Sequence, residues 1–224
     1  MAIVNFPDIN PSTNVNKIGL ALCGDRNQCH IGIIYKAEGD EYPFFLHLAW
    51  HYVLRNDQNV PNKYIWIDLP LDELNKSVMS QYCKHLAIKN SDGNIPYGFN
   101  VEGRFFDKTG SWIGEEGVGL TCATFVLAVF RAMSLPLLKT EEWICRIDDR
   151  EWQENVIRTL ITSGASSDHI HKQRSNIGGA RFRPSEVMAS ATSDYTPIGY
   201  IEALNLSEMI IEQLHLYNDK INSG

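Results

Sequence analysis

The sequence predicts an α+β fold in which an antiparallel sheet packs against a central helix. Three observations lead there. Apolar, β-branched runs crowd between residues 17 and 70, with turn residues between them. From Leu71 onward the apolar spacing changes from two to three or four. Residues 117–136, "GVGLTCATFVLAVFRAMSLP", pass from a glycine-bearing loop into a helix that is apolar on almost every side, the mark of an element buried among others.

Taken in order, residues 1–16 read as an irregular arm rich in Asn and Pro, and 17–224 as one catalytic-sized domain. "KIGLALC" and "CHIGIIYKA" form strands joined by the polar turn "GDRNQ". A turn at "AEGDEY" leads into a single apolar segment, "PFFLHLAWHYVL". "KYIWIDLP" is a further strand, stopped at Pro70. Leu71, Leu74, Val78, Tyr82 and Leu86 set one face of a helix over 71–89, which "NSDGNIPYGFN" ends. Trp152, Val156, Ile157, Leu160 and Ile161 mark another helix, closed by Gly164. Residues 164–183 are polar and read as a loop or insert. Pro184 opens a short helix, and Ile210, Leu214, Tyr217 and Ile221 share a face of a terminal one.

Composition narrows the class of function. Of the 224 residues 44% are hydrophobic and 21% charged, as in globular proteins. A formal charge of −7 argues against nucleic acid or an anionic membrane as the main partner, since both select basic surfaces. No apolar run reaches the roughly 20 residues of a membrane span, and the first residues lack a secretory signal. The expectation is a chain made in the cytoplasm that a specialised secretion system delivers if it acts in a periplasm. Five cysteines, 23, 29, 83, 122 and 145, are scattered without a C-x-x-C pair, which suits free thiols; a Cys23–Cys29 bridge stays open. The spacing suits no zinc site, and nothing calls for a cofactor.

Cys122 stands where loop becomes helix. Free cysteine is usually a small core residue. A helix start also presents unpaired N–H groups and positive potential that favour a thiolate. His30 opens the strand "HIGII" and shares a face with Gly32 and Ile34, the glycine leaving room beside the ring. His47 follows one strand later, so a hairpin brings the two imidazoles together. Thiol, base and a polar group orienting the base are the parts of nucleophilic acyl chemistry. His51, on the same face as His47, is an alternative orienting residue. His169 and His171 of "DHIH" read as surface histidines in a polar loop, and the glycines near 110–119 lack the Gly-Lys-Ser/Thr of a phosphate loop.

"CHIGIIYK" followed by "FFLHLAW" resembles the histidine strand and the next strand of NlpC-type cysteine peptidases. "IPYGFN…GLTCATFVLAVFRAMSLPL" resembles their other half, a Pro-Tyr, a variable loop and a Cys opening a helix. Histidines precede the cysteine here, as in the circularly permuted branch that includes lecithin–retinol acyltransferase-like proteins. The resemblance spans residues 17–137. It implies a papain-like fold with Cys122 as nucleophile, His30 as general base, His47 as orienting residue and Tyr97 lining the site near the oxyanion. The chain departs from the family in "CAT" where Cys-Ser-Gly or Cys-Ser-Glu is usual, and in a long Tyr97–Cys122 loop carrying Glu115 and Glu116.

The function implied is a cysteine hydrolase that cleaves an amide through an acyl-enzyme, with peptide crosslinks of peptidoglycan as substrate. An antibacterial effector of that kind would have a cognate immunity protein as partner. Two alternatives remain: a permuted-family lipid acyltransferase or thioesterase, and a papain-like binding domain in which Cys122 is a core thiol.

Overall fold

The computed structural model describes residues 15–58 and 60–222. The arm expected over 1–16 therefore lies, up to residue 14, outside the described residues. Five strands come first: β1 (Ile18–Gly24), β2 (Cys29–Tyr35), β3 (Phe44–Trp50), β4 (Val53–Asp57) and β5 (Ile65–Asp68). They form one antiparallel sheet in the order β4-β3-β2-β1-β5. Six helices follow: α1 (Glu73–Lys89), α2 (Cys122–Ala132), α3 (Asp149–Thr162), α4 (Ser167–Ser175), α5 (Pro184–Ala189) and α6 (Tyr200–Asn222). The architecture is α+β, as the strands-then-helices order predicts.

Alternation divides the sheet into two unequal faces. Leu20, Leu22, Ile31, Ile33, Leu46, Leu48, Ile65 and Ile67 point into the main core, where α2 lies against β2 and β3. The other face carries a smaller cluster of Ala21, Cys23, Ile34, Phe45, Tyr64 and Trp66. β1 and β2 pair from Ile18↔Tyr35 to Gly24↔Cys29, which sets Cys23 opposite His30. The β2–β3 ladder is short, running only from Ile33↔Leu46 to Tyr35↔Phe44. Beyond it, towards His30, the two strands part.

Helix α2 explains its own sequence. Thr121 caps it, its Oγ1 accepting the Thr124 N–H at 3.0 Å while Thr124 Oγ1 accepts the Thr121 N–H at 2.8 Å. This reciprocal cap, worth roughly 1 kcal/mol, fixes the residue at which the helix begins and so places Cys122 at its first position. Cys122 through Phe130 are all buried.

Three sequence expectations need correction. "PFFLHLAWHYVL" is two strands, because a turn at His51–Tyr52 folds β4 back on β3. The buried stripe of α1 runs through Met79, Tyr82, Cys83 and Leu86, while Leu74 and Val78 face outward. Residues 164–183, read as a loop, contain α4, and His169, Ile170 and Gln173 of that helix are buried. Its composition is polar because its buried side chains bond to backbone rather than pack in the core. In α3 and α6, Ile161 and Ile221 are likewise exposed, the rest of each expected stripe being largely covered. Among the described residues no helix is long and apolar enough to cross a membrane.

Candidate active site

The strand order brings His30 and His47 together. His30 Nε2 lies 2.8 Å from His47 Nδ1, and the rings meet edge to face. Gly32 makes this possible in a way the sequence only hinted at. A Cβ there would come within 2.6 Å of both His47 Cβ and the Phe45 ring, so only glycine lets His47 settle between strands. Phe45 stacks on the His47 ring at 4.5 Å.

Behind His47 stands a residue the sequence reading did not single out. Asp57 Oδ2 is 3.3 Å from His47 Nε2, and Arg55 holds the same carboxylate at 2.8 and 3.1 Å. Arg55 and Asp57 alternate in "VLRND", and β3–β4 register sets Arg55 opposite His47. Joining β3 and β4 into one segment hid that relation.

The series fixes a proton arrangement. Asp57 is held below the ordinary carboxylate range, chiefly by Arg55, and stays an acceptor. It therefore draws the His47 proton to Nε2, which leaves His47 Nδ1 as an acceptor for His30 Nε2–H. The remaining nitrogen of His30, Nδ1, is then bare. Burial drives the His30 pKa down to about 4, with His47 and Lys63 adding to the effect. Burial also lowers His47, against the pull of Asp57. Both rings are neutral at pH 7.

Cys122 reaches the same place from the helix side. It is 6% exposed, and the backbone N–H groups of Ile31, Ala123 and Cys122 itself act on its sulfur. Ile31 follows His30 in β2, so the N–H that acts on the sulfur belongs to the peptide unit next to His30. The helix-start N–H groups lower the thiol pKa as expected of such a site. Burial outweighs them and pushes it up to about 11. The resting pair is therefore neutral thiol and neutral imidazole, with no preformed thiolate.

Tyr97 is brought to the site by a short parallel pairing of 96–100 with 117–121. Gly119 permits it, because a Cβ would sit 2.7 to 2.8 Å from the Tyr97 and Gly98 backbone. Burial keeps the Tyr97 phenol protonated, with the Cys122 backbone N–H acting weakly in the opposite sense. Helix α4 clamps this segment. Gln173 Oε1 accepts the Phe99 N–H at 2.7 Å, and Gln173 Nε2 donates to Gly117 O at 2.7 Å. His169 Nε2 bonds Tyr97 O at 2.8 Å.

His169 is thus buried, contrary to its reading as a surface residue, whereas His171 is exposed. His51 does not take the place of His47. Its Nδ1 accepts the Tyr97 N–H at 3.1 Å and its ring stacks near His169. All five cysteines are free thiols, so no Cys23–Cys29 bridge forms. Among the described residues no group of three or more His, Cys, Asp or Glu is placed to hold a metal ion.

A narrow pocket of about 40 Å³ lies over Cys122, bordered by Cys29, Tyr97, Ala123, Trp152 and Arg181. It shares Cys29, Trp152, Arg181 and Pro184 with a groove of about 890 Å³ whose far wall is α6. The groove floor depends on a buried carboxylate. Glu186 accepts from Trp143 Nε1 and the Arg183 N–H, both at 3.0 Å, and is paired with Arg146. Comparison of the chain with protein-family models, with curated proteins and with solved structures gives no match.

Proposed function

We propose that this chain is a cysteine hydrolase of the papain-like type, in permuted order, which cleaves an amide in peptide crosslinks of peptidoglycan. The observation that carries the reading is the 2.8 Å contact of His30 with His47, backed by Asp57, on a strand whose next N–H, that of Ile31, acts on a capped-helix thiol. A core cysteine needs no such series of oriented rings. The groove beyond the thiol is lined with charged side chains, among them Arg26, Asp148, Glu151 and Glu212, which suits a peptide better than an acyl chain.

In this mechanism His30 Nδ1 takes the thiol proton as sulfur attacks the carbonyl carbon. Burial of both groups favours transfer during attack over a standing ion pair. The Tyr97 hydroxyl, kept protonated by burial, donates to the developing oxyanion. His30 then returns the proton to the leaving amine as the C–N bond breaks. Water, deprotonated by the same nitrogen, hydrolyses the thioester and frees Cys122. General acid–base transfer of this kind contributes roughly 10²–10⁴-fold.

Incubation of purified protein with peptidoglycan, followed by mass analysis of released muropeptides, tests the reading. Crosslinked dimers are expected to disappear with wild type and persist with Cys122→Ala. Intact crosslinks after prolonged incubation with wild type would overturn it.

A further inference from the structure

Arg26, Arg181 and Arg183 line the groove, with Arg146 behind it, and the guanidinium groups of Arg183 and Arg146 are already paired. Arg183 Nη2 bonds both oxygens of Asp148, at 2.7 and 2.9 Å. Arg146 is taken by Glu186 and Asp149. Arg26 sits on the exposed β1–β2 turn, away from the pocket over Cys122. Arg181 is different. Among the described residues no carboxylate lies within ion-pair distance of its guanidinium, and it borders both the groove and the thiol pocket.

Arg181 is also held in place. Its guanidinium carbon lies 4.0 Å from the centre of the Trp152 ring. Its backbone carbonyl accepts from Arg146 Nη2 at 2.6 Å. A planar cation laid on an indole, half-buried, with Asp148 and Asp149 near but beyond ion-pair distance, is prepared for a planar anion, which it can take through two parallel N–H bonds. Its charge is felt at Cys122, Cys29 and Tyr97, so a ligand bound there lies beside the reacting sulfur.

The surroundings specify which anion. Asp148, Glu151, Glu186, Glu208 and Glu212 also line the groove. Five carboxylates repel a dianionic phosphate, whereas a single negative charge matches the Arg181 guanidinium beside the thiol pocket. We propose that Arg181 is a specificity residue of the Cys122 groove, binding a carboxylate that the substrate carries close to the amide under attack. This rests on the hydrolase reading and adds the class of substrate: peptides with an acidic group next to the scissile bond.

Alkylation separates the two ideas without needing turnover. Iodoacetate and iodoacetamide each form an S–C bond at Cys122 and release iodide, and they differ by one carboxylate. The ratio of their rates cancels the fraction of thiolate. Mass mapping of Cys122 in wild type, Arg181→Lys and Arg181→Gln gives that ratio for each. Arg181→Gln is expected to lower the iodoacetate preference by about tenfold or more, the order of one charge-assisted hydrogen bond, with Arg181→Lys in between. A ratio unchanged in Arg181→Gln overturns the proposal. If wild type leaves peptidoglycan crosslinks intact while the ratio still falls in Arg181→Gln, the hydrolase reading fails and the assignment of Arg181 stands.

Discussion

At the scale of single residues, the site depends on a sequence of tautomers that starts at Asp57. An amide in its place can present N–H₂ to His47 Nε2, which turns the His47 proton to Nδ1 and faces it with the proton of His30 Nε2. Asp57→Asn is therefore expected to lower kcat by roughly 10²–10⁴-fold with little change in KM, measured on muropeptide release. Equal loss in KM and kcat would mean that Asp57 shapes the groove instead. Gly32 is a second sensitive point. Its Cβ would meet His47 and Phe45 at 2.6 Å, one through a side-chain root that cannot swing away. Gly32→Ala is expected to cost about 1–3 kcal/mol in denaturant unfolding and to displace His47, so that activity falls further than stability does. Retention of full activity in that variant would show that the His47 position is not critical. The histidines and the cysteine were visible in the sequence because residue type and strand parity announce them. Asp57 was not, since its role comes from a turn at His51–Tyr52 that an unbroken apolar run concealed.

Among the elements, α4 shows most clearly what a sequence withholds. Its residues are polar, yet the helix buries His169 and Gln173 to satisfy the backbone of 97–100 and 117. Hydrophobic periodicity records packing against apolar neighbours and says nothing of a helix that packs against peptide groups. Such a clamp is testable. Gln173→Leu leaves the Phe99 N–H and the Gly117 carbonyl buried without partners, and the denaturation midpoint should fall by an amount equal to about 1–3 kcal/mol for each group left unsatisfied. Because the clamped strand carries Tyr97, the same substitution is expected to slow acylation of Cys122. The strands and α2 were legible for the opposite reason: their partners are side chains of the main core, so alternation and an all-apolar helix appear directly in the order of residues.

Across the whole molecule, buried histidines couple stability to pH. His30 and His51 are each lowered to about 4 by burial, and His47 and His169 are lowered in the same direction. The unfolded chain takes up these protons as pH falls through about 6.5, while the folded chain resists them until near 4. Stability is thus complete above about pH 6.5 and is lost as pH falls towards 4. Thermal unfolding followed between pH 8 and 4 should show a midpoint that is level at first and then drops. His51→Phe or His169→Phe would remove part of that drop, and a midpoint independent of pH above 4 would refute the coupling. The acidic limb of kcat/KM should lie at the low end of the same window, since His30 remains a base down to about pH 4.

The terminal helix adds a consequence in time. Tyr217 bonds Asn62 O at 2.6 Å and Asn218 bonds Gly24 O at 2.9 Å, tying α6 to the end of β1 and to the loop before β5. Leu204, Met209 and Glu212 of the same helix form one side of the cleft beside Cys122. A ribosome makes the sheet and the thiol-bearing helix before α6. The nascent chain accordingly carries its sulfur in a trench with one bank missing until α6 has left the ribosome and folded back.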